Sequence, residues 1–77
     1  MSRVKLTFPE NLIQQPIIAR LAREFDVMPN IRRANVEEHM GWLICEIEGD
    51  EATVDRALDW VRTVGVQVDL LEDFVEG

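Results

Sequence analysis

The most restrictive feature of this 77-residue sequence is the order in which its apolar periodicity changes. Val4, Leu6 and Phe8 alternate with polar residues, which is the period-two pattern of a half-buried strand. After a break, apolar residues recur at helical spacing over residues 17–25, and Pro16 suits the first turn of that helix because its missing N–H costs nothing there. The chain therefore begins with a strand and continues into an amphipathic helix.

Residues 27–38 return to a strand-like pattern that contains one irregularity. Ile31 and Ala34 are both apolar but differ in parity, so a regular strand cannot place them on the same face. We therefore expect a β-bulge near Arg32 and Arg33. A bulge there would let both arginines point outward together.

The second half of the chain repeats the scheme. Residues 39–41 indicate a hairpin turn, Asp50 is a natural N-cap for a second helix, and Gly65 stands where a C-cap glycine belongs. Residues 66–70 alternate again as a last strand. The strand between the turn and the second helix has the clearest pattern, with Leu43, Cys45 and Ile47 on one face and Trp42, Ile44, Glu46 and Glu48 on the other.

The resulting order, β-α-β-β-α-β, predicts the ferredoxin-like plan of the α+β class. In this plan both helices cover one face of a four-stranded antiparallel sheet. We expect one domain over residues 1–77, with a core of about residues 3–71 and an acidic tail at residues 72–77.

Charge and composition exclude several classes of protein. Lys and Arg number 8 against 15 Asp and Glu, a net charge of −7, which argues against a nucleic-acid binder. Residues 1–40 hold six basic and five acidic side chains, whereas residues 41–77 hold two and ten. The acidic half is either a solvated face or a surface that orients a partner. No apolar run is long enough for a membrane span and the N-terminus lacks a signal-peptide pattern, so we expect no membrane insertion and a cytoplasmic location.

Catalytic, metal and cofactor chemistry find no support in the residue pattern, and we predict none of the three. Cys45 alternates with core residues, which favours a small buried hydrophobe over a nucleophile. His39 lies in the predicted turn and has no obvious partner nearby in the sequence. Residues 8–15 contain neither the cysteines of a copper chaperone nor the arginine of an acylphosphatase-like phosphate site.

The face of the sheet opposite the helices is the best candidate for a contact surface. Strand parity places on it Lys5, Thr7, Trp42, Ile44, Glu46, Asp69 and Leu71. Trp42 and Ile44 would then lie side by side in water, and an apolar patch of this kind typically marks an interface. The alternative is that Trp42 folds over the sheet edge and contacts only its own chain.

Several strings, in their order and spacing, resemble the NIL domain over about residues 3–71: Leu6-Thr7-Phe8-Pro9, Gln15-Pro16-Ile17-Ile18-Ala19-Arg20, Asn30-Ile31-Arg32-Arg33-Ala34, Gly41-Trp42-Leu43, Glu46-Ile47-Glu48-Gly49 and Ala57-Leu58-Asp59-Trp60-Val61. The resemblance implies a regulatory unit like the C-terminal domain of methionine-import ABC ATPases, or the domain that precedes ferredoxin modules in some proteins of sulfur amino-acid synthesis. Such domains pair and, in the transporters, bind methionine near the pairing surface and inhibit transport. The sequence departs from the family pattern in two ways. The Asn-Ile-Leu that gives the family its name is here Asn30-Ile31-Arg32. Neither an ATPase nor a ferredoxin module is attached, so we expect a stand-alone unit.

The resemblance implies a ligand site at the start of the second strand. Asn30 and Ile31 are the first candidates for contact with methionine or a related sulfur amino acid, Met28 shapes the approach, and Ile31 or Trp42 lines a slot for the thioether. The alternative for Asn30 is a structural role at the bulge.

The predicted surface for a homodimer or another partner consists of Trp42, Ile44, Arg32, Arg33 and Leu71. The two arginines would grip a carboxylate or an acidic partner, or would simply face solvent. Two functions remain open: a homodimeric methionine sensor, and an adaptor that docks on a sulfur-assimilation, sulfur-transfer or transporter protein through its acidic half and tail. For the tail itself, a frayed terminus is the alternative.

Overall fold

A computed structural model describes residues 2–71, so the predictions for the tail at residues 72–77 lie outside the described residues. Six main elements follow one another: β1 (Ser2–Pro9), α1 (Ile17–Glu24), β2 (Met28–Val36), β3 (Met40–Glu48), α2 (Glu51–Val64) and β4 (Gln67–Leu70). The strands form one sheet in the order β2-β3-β1-β4, and each neighbouring pair is antiparallel. The predicted ferredoxin-like architecture is confirmed.

The predicted bulge in β2 is also confirmed. Ile31 pairs with Cys45 of β3 and Arg33 pairs with the preceding residue Ile44, so Arg32 is the extra residue in the ladder. The bulge resets the parity of β2, and Ala34 consequently pairs with Leu43 on the same side of the sheet as Ile31.

Several element boundaries differ from the sequence-based expectation by one or two residues. The first helix ends at Glu24, and Phe25 is already extended although its N–H still donates to the carbonyl of Leu21. Met40 and Gly41, expected in the hairpin turn, belong to β3 because they pair with Pro9 and Phe8 of β1. The chain therefore reverses over residues 37–39.

Both predicted caps of the second helix are present. The Asp50 carboxylate accepts a hydrogen bond from the backbone N–H of Thr53 at 3.3 Å. Gly65 has φ 118°, a left-handed conformation that a side chain rarely adopts, and its N–H returns to the carbonyls of Val61 and Arg62. These caps fix where α2 begins and ends.

The core lies between the helices and the inner face of the sheet. Its buried residues are Val4, Leu6, Phe8, Ile17, Leu21, Cys45, Ile47, Val54, Ala57, Leu58, Val61 and Val66. Cys45 is one of them, as predicted, and burial raises the pKa of its thiol to about 11. A neutral thiol at physiological pH packs as a small apolar side chain. No helix of the described residues is long and apolar enough to cross a membrane.

Candidate functional site

The face of the sheet that the helices leave uncovered, called the open face below, carries most of the polar chemistry of the strands. Core residues of β1 alternate with Arg3, Lys5 and Thr7, which therefore lie on the open face. The register adds Trp42, Ile44 and Glu46 from β3 and Asp69 from β4. Strand parity predicted this face, apart from Arg3, which had not been singled out.

A charged cluster occupies one end of the open face, around Glu46. Arg3 Nη2 donates to Glu46 Oε2 at 2.7 Å, and Arg32 donates to Glu46 Oε1 from Nη2 at 2.7 Å and from Nε at 3.1 Å. The whole Glu46 residue is only 6% exposed. The hydrogen bonds from Arg3 and then Arg32 lower the pKa of the Glu46 carboxyl, so this residue is ionised at neutral pH.

Trp42 lies farther along the same strand, between two cations. Lys5 Nζ is 5.2 Å and the Arg33 guanidinium carbon is 6.0 Å from the centroid of the Trp42 ring system, within the range of cation–π attraction. Trp42 is thus half-buried by side chains of its own chain. The contacts of Arg32 and Arg33 also show that both point to the open face, as the bulge suggested.

A shallow cavity of about 450 Å³ opens on this face. It is lined by Arg3, Arg32, Arg33, Ile44, Glu46 and Leu71. Four of the five residues predicted as an interface therefore surround one cavity, and the fifth, Trp42, is in contact with Arg33.

A second cavity, of about 200 Å³, lies on the other side of the sheet between the start of α1 and the β2–β3 hairpin. Most of its lining is apolar: Phe8, Ile13, Ile17, Ile18, Ala34, Val36, Leu43 and Trp42. Pro16 precedes α1, and within the described part of the chain no side chain caps this helix. Sequence reasoning did not find this cavity, because it depends on how far the short helix α1 extends over β2.

The structure brings together only part of the predicted ligand set. Met28 and Asn30 point to the same side at the start of β2, where Asn30 Nδ2 donates to Glu48 Oε2 at 3.1 Å. Ile31 points to the opposite side of the sheet, because it pairs with the buried Cys45. Trp42 is four residues along β3 from the residue that pairs with Asn30, about 13 Å away at about 3.3 Å per residue.

His39, predicted as a solvated turn residue, is exposed but has a neighbour that the sequence did not indicate. Its Nδ1 lies 3.2 Å from Glu10 Oε1, because the hairpin turn reaches the short 3₁₀ segment after β1. Within residues 2–71, no group of three or more histidine, cysteine, aspartate or glutamate side chains could hold a metal ion.

Comparisons with known proteins point to one family. A family model described as the NIL domain matches residues 2–70. The Methionine import ATP-binding protein MetN of Helicobacter pylori strain J99 is 32% identical over 73 residues, which is 90% of this chain and 22% of that protein. MetN 2 of Listeria innocua has the same identity and coverage. The chain thus spans about a fifth of the length of these curated relatives.

A solved structure has the same fold. The C-terminal domain of an ABC transporter ATP-binding protein from Enterococcus faecalis superposes with a TM-score of 0.81, covering 95% of this chain and 86% of that domain at 22% identity.

Proposed function

Since this chain belongs to the NIL domain family, we propose that it is a non-catalytic regulatory module that binds methionine or a related sulfur amino acid. Its regulatory target is a methionine transporter or another protein of sulfur amino-acid metabolism. The relatives matched over most of this chain are methionine import ATP-binding proteins, which supports the choice of ligand.

The apolar cavity of about 200 Å³ is the observation that carries the proposal. Its aliphatic and aromatic walls suit a flexible thioether side chain. Phe8 provides the aromatic part of this wall; Trp42, from the predicted ligand set, also borders the cavity, although its ring lies on the open face beside Lys5 and Arg33. The first turn of α1 borders the cavity and has no side-chain cap among the described residues; the Ile17 N–H already donates to the Gln15 carbonyl, so the N–H groups of Ile18 and Ala19 would donate to a carboxylate.

Asn30, Ile31 and Met28 remain in the proposal as a second region of contact, at the β2 edge. Such a contact would require the ligand, or a second copy of the chain, to bridge the distance between Asn30 and Trp42. Variants can separate the two regions. Ala34→Leu fills the cavity without touching Asn30, and Asn30→Ala leaves the cavity walls intact.

A thermal-shift measurement tests ligand binding. Methionine at a hundred times its dissociation constant should stabilise the fold by about 2.7 kcal/mol, whereas leucine should do so far less. Ala34→Leu should abolish the methionine shift, and Asp55→Asn on the exposed surface of α2 serves as the control. If methionine, homocysteine and cysteine all leave the melting temperature unchanged, the proposal fails.

We also propose that the chain forms a homodimer, and the exposed apolar residues of β2 support an edge contact. This edge strand exposes Met28, Ile31 and Val36 by 60%, 53% and 71%. An unpaired edge with apolar side chains favours association with another strand. A twofold pairing of the open face with itself would instead bring arginine close to arginine, so we assign the residues around the 450 Å³ cavity to a different partner.

Sedimentation equilibrium tests the edge contact. Ile31→Glu should shift the protein to monomer, whereas Leu70→Glu should not, although Leu70 is 62% exposed on the other edge strand. A monomeric parent protein at high concentration would rule out pairing.

A further inference from the structure

On the open face, side chains that are neighbours across β2, β3 and β1 form rows perpendicular to the strands. Two adjacent rows have a cation on each side of a central β3 residue, but the central residues differ. In the first row Glu46 of β3 pairs with Arg3 of β1, and the bulged Arg32 of β2 reaches it from the other side. In the second row Ile44 of β3 lies between Lys5 of β1 and Arg33 of β2. The first row thus contains a carboxylate between its cations, and the second contains an aliphatic side chain.

The second row has its carboxylate at one end: Asp69 of β4 pairs with Lys5 and accepts a hydrogen bond from Gln67 Nε2 at 3.0 Å. Within residues 2–71, neither Lys5 nor Arg33 forms a salt bridge, and each lies near the Trp42 ring. The two backbones are separated by two strand spacings, about 10 Å, so folding brings these cations to either side of Ile44, with Asp69 beyond Lys5 and, among the described residues, no carboxylate between them. A carboxylate placed over Ile44 would be attracted by both.

We propose that the open face binds an acidic peptide segment of another protein, with one carboxylate held between Lys5 and Arg33 above Ile44. Trp42 and Ile44 provide the apolar surface for a side chain beside that carboxylate, and the cavity next to Arg32 accepts the residue that follows. Arg3 and Arg32 already hold Glu46 in this manner, so the first row shows the geometry that the second row offers to a ligand. This inference stands without methionine binding.

Charge complementarity supports an acidic partner. Four of the eight basic residues of the chain, Arg3, Lys5, Arg32 and Arg33, lie on the open face, although the net charge is −7. Because charges separated by more than about 8 Å are screened at physiological ionic strength, the local cations govern a ligand in contact with this face.

The same features argue against single-stranded nucleic acid. A stacked base needs a free aromatic face, whereas Lys5 and Arg33 lie against Trp42. Glu46 and Asp69 also interrupt the cationic surface along which a phosphate backbone would have to run. A peptide, unlike a phosphate backbone, needs to place only one negative charge on this face, at the second row.

Fluorescence anisotropy with the full chain and a labelled peptide of alternating glutamate and leucine tests the proposal. Arg33→Gln should weaken binding about tenfold, since a charge-assisted hydrogen bond is lost. Arg23→Gln, which removes an arginine from α1, should leave the affinity unchanged. Ile44→Glu should abolish binding because it places a carboxylate of the chain itself between Lys5 and Arg33, and circular dichroism would verify that the variant folds.

Three results would overturn the proposal. The first is equal peptide affinity for the parent chain and Arg33→Gln. The second is tighter binding of single-stranded oligouridine than of the peptide. The third is peptide binding that appears only when residues 72–77 are removed. That result would mean that the site serves the acidic residues of the same chain and not a partner.

Discussion

The two faces of this sheet are built from the same strands but are held by different forces. The covered face packs aliphatic side chains against two helices and excludes water. The open face relies on a buried glutamate between two arginines and on cations near a tryptophan. The covered face therefore determines whether the chain folds, and the open face determines what the folded chain can bind.

Truncating a side chain on the covered face should cause the largest loss of stability. Leu6→Ala deletes a fully buried side chain and should lower the free energy of unfolding by about 2–5 kcal/mol, since both transfer free energy and packing are lost. Thr7→Ala, at the next residue but on the open face, should cost less than about 0.5 kcal/mol. Urea denaturation of both variants measures the difference, and similar losses would contradict the division between the faces.

The covered face could be predicted almost completely from the sequence, for a physical reason. Periodicities of two and 3.6 residues are set by local backbone geometry, so Val4, Leu6 and Cys45 are recognisable as core residues without a structure. The β2 bulge was predictable in the same way, because Ile31 and Ala34 had to reach one face despite their opposite parity.

The partners on the open face could be predicted only in part. Parity placed Glu46, Trp42 and Lys5 there, but which cation meets which carboxylate depends on the register of β1 against β3 and on the side-chain reach of Arg32. The 200 Å³ cavity depends on the packing of α1 over β2, for which the sequence carries no local signal. The structure therefore adds the long-range contacts, such as strand register and helix packing, that composition and local periodicity do not contain.

Glu46→Gln should give the second-largest loss of stability, because it removes the charge that holds Arg3 and Arg32 together. The variant keeps nearly the same volume, so packing changes little. Thermal denaturation at neutral pH should show a lower melting temperature than that of the parent chain, but a smaller decrease than for Leu6→Ala. An unchanged melting temperature would show that the cluster contributes only to binding.

The same cluster should make stability depend on acid pH. Folding lowers the pKa of Glu46 below its ordinary value of 4.5, so its stabilising contribution is present in full above that value and is lost as the pH falls through the folded-state pKa. The difference in unfolding free energy between the parent chain and Glu46→Gln should therefore be constant from pH 6 to pH 7 and shrink below about pH 4.5. A difference that is independent of pH across this range would contradict the role of the ionised carboxylate.

The smallest expected effect distinguishes the two rows of the open face. Lys5→Gln removes a cation that forms no salt bridge within residues 2–71, and the loss of its attraction to Trp42 and to the cross-strand Asp69 is offset by relief of repulsion from Arg33. Its unfolding free energy should stay within about 0.5 kcal/mol of the parent value. Arg3→Gln, the matched change in the first row, should destabilise more because it leaves Glu46 with Arg32 alone. Equal effects in urea denaturation would mean that Lys5 is paired as closely with Asp69 as Arg3 is with Glu46, and Lys5 would then not be available to a peptide carboxylate.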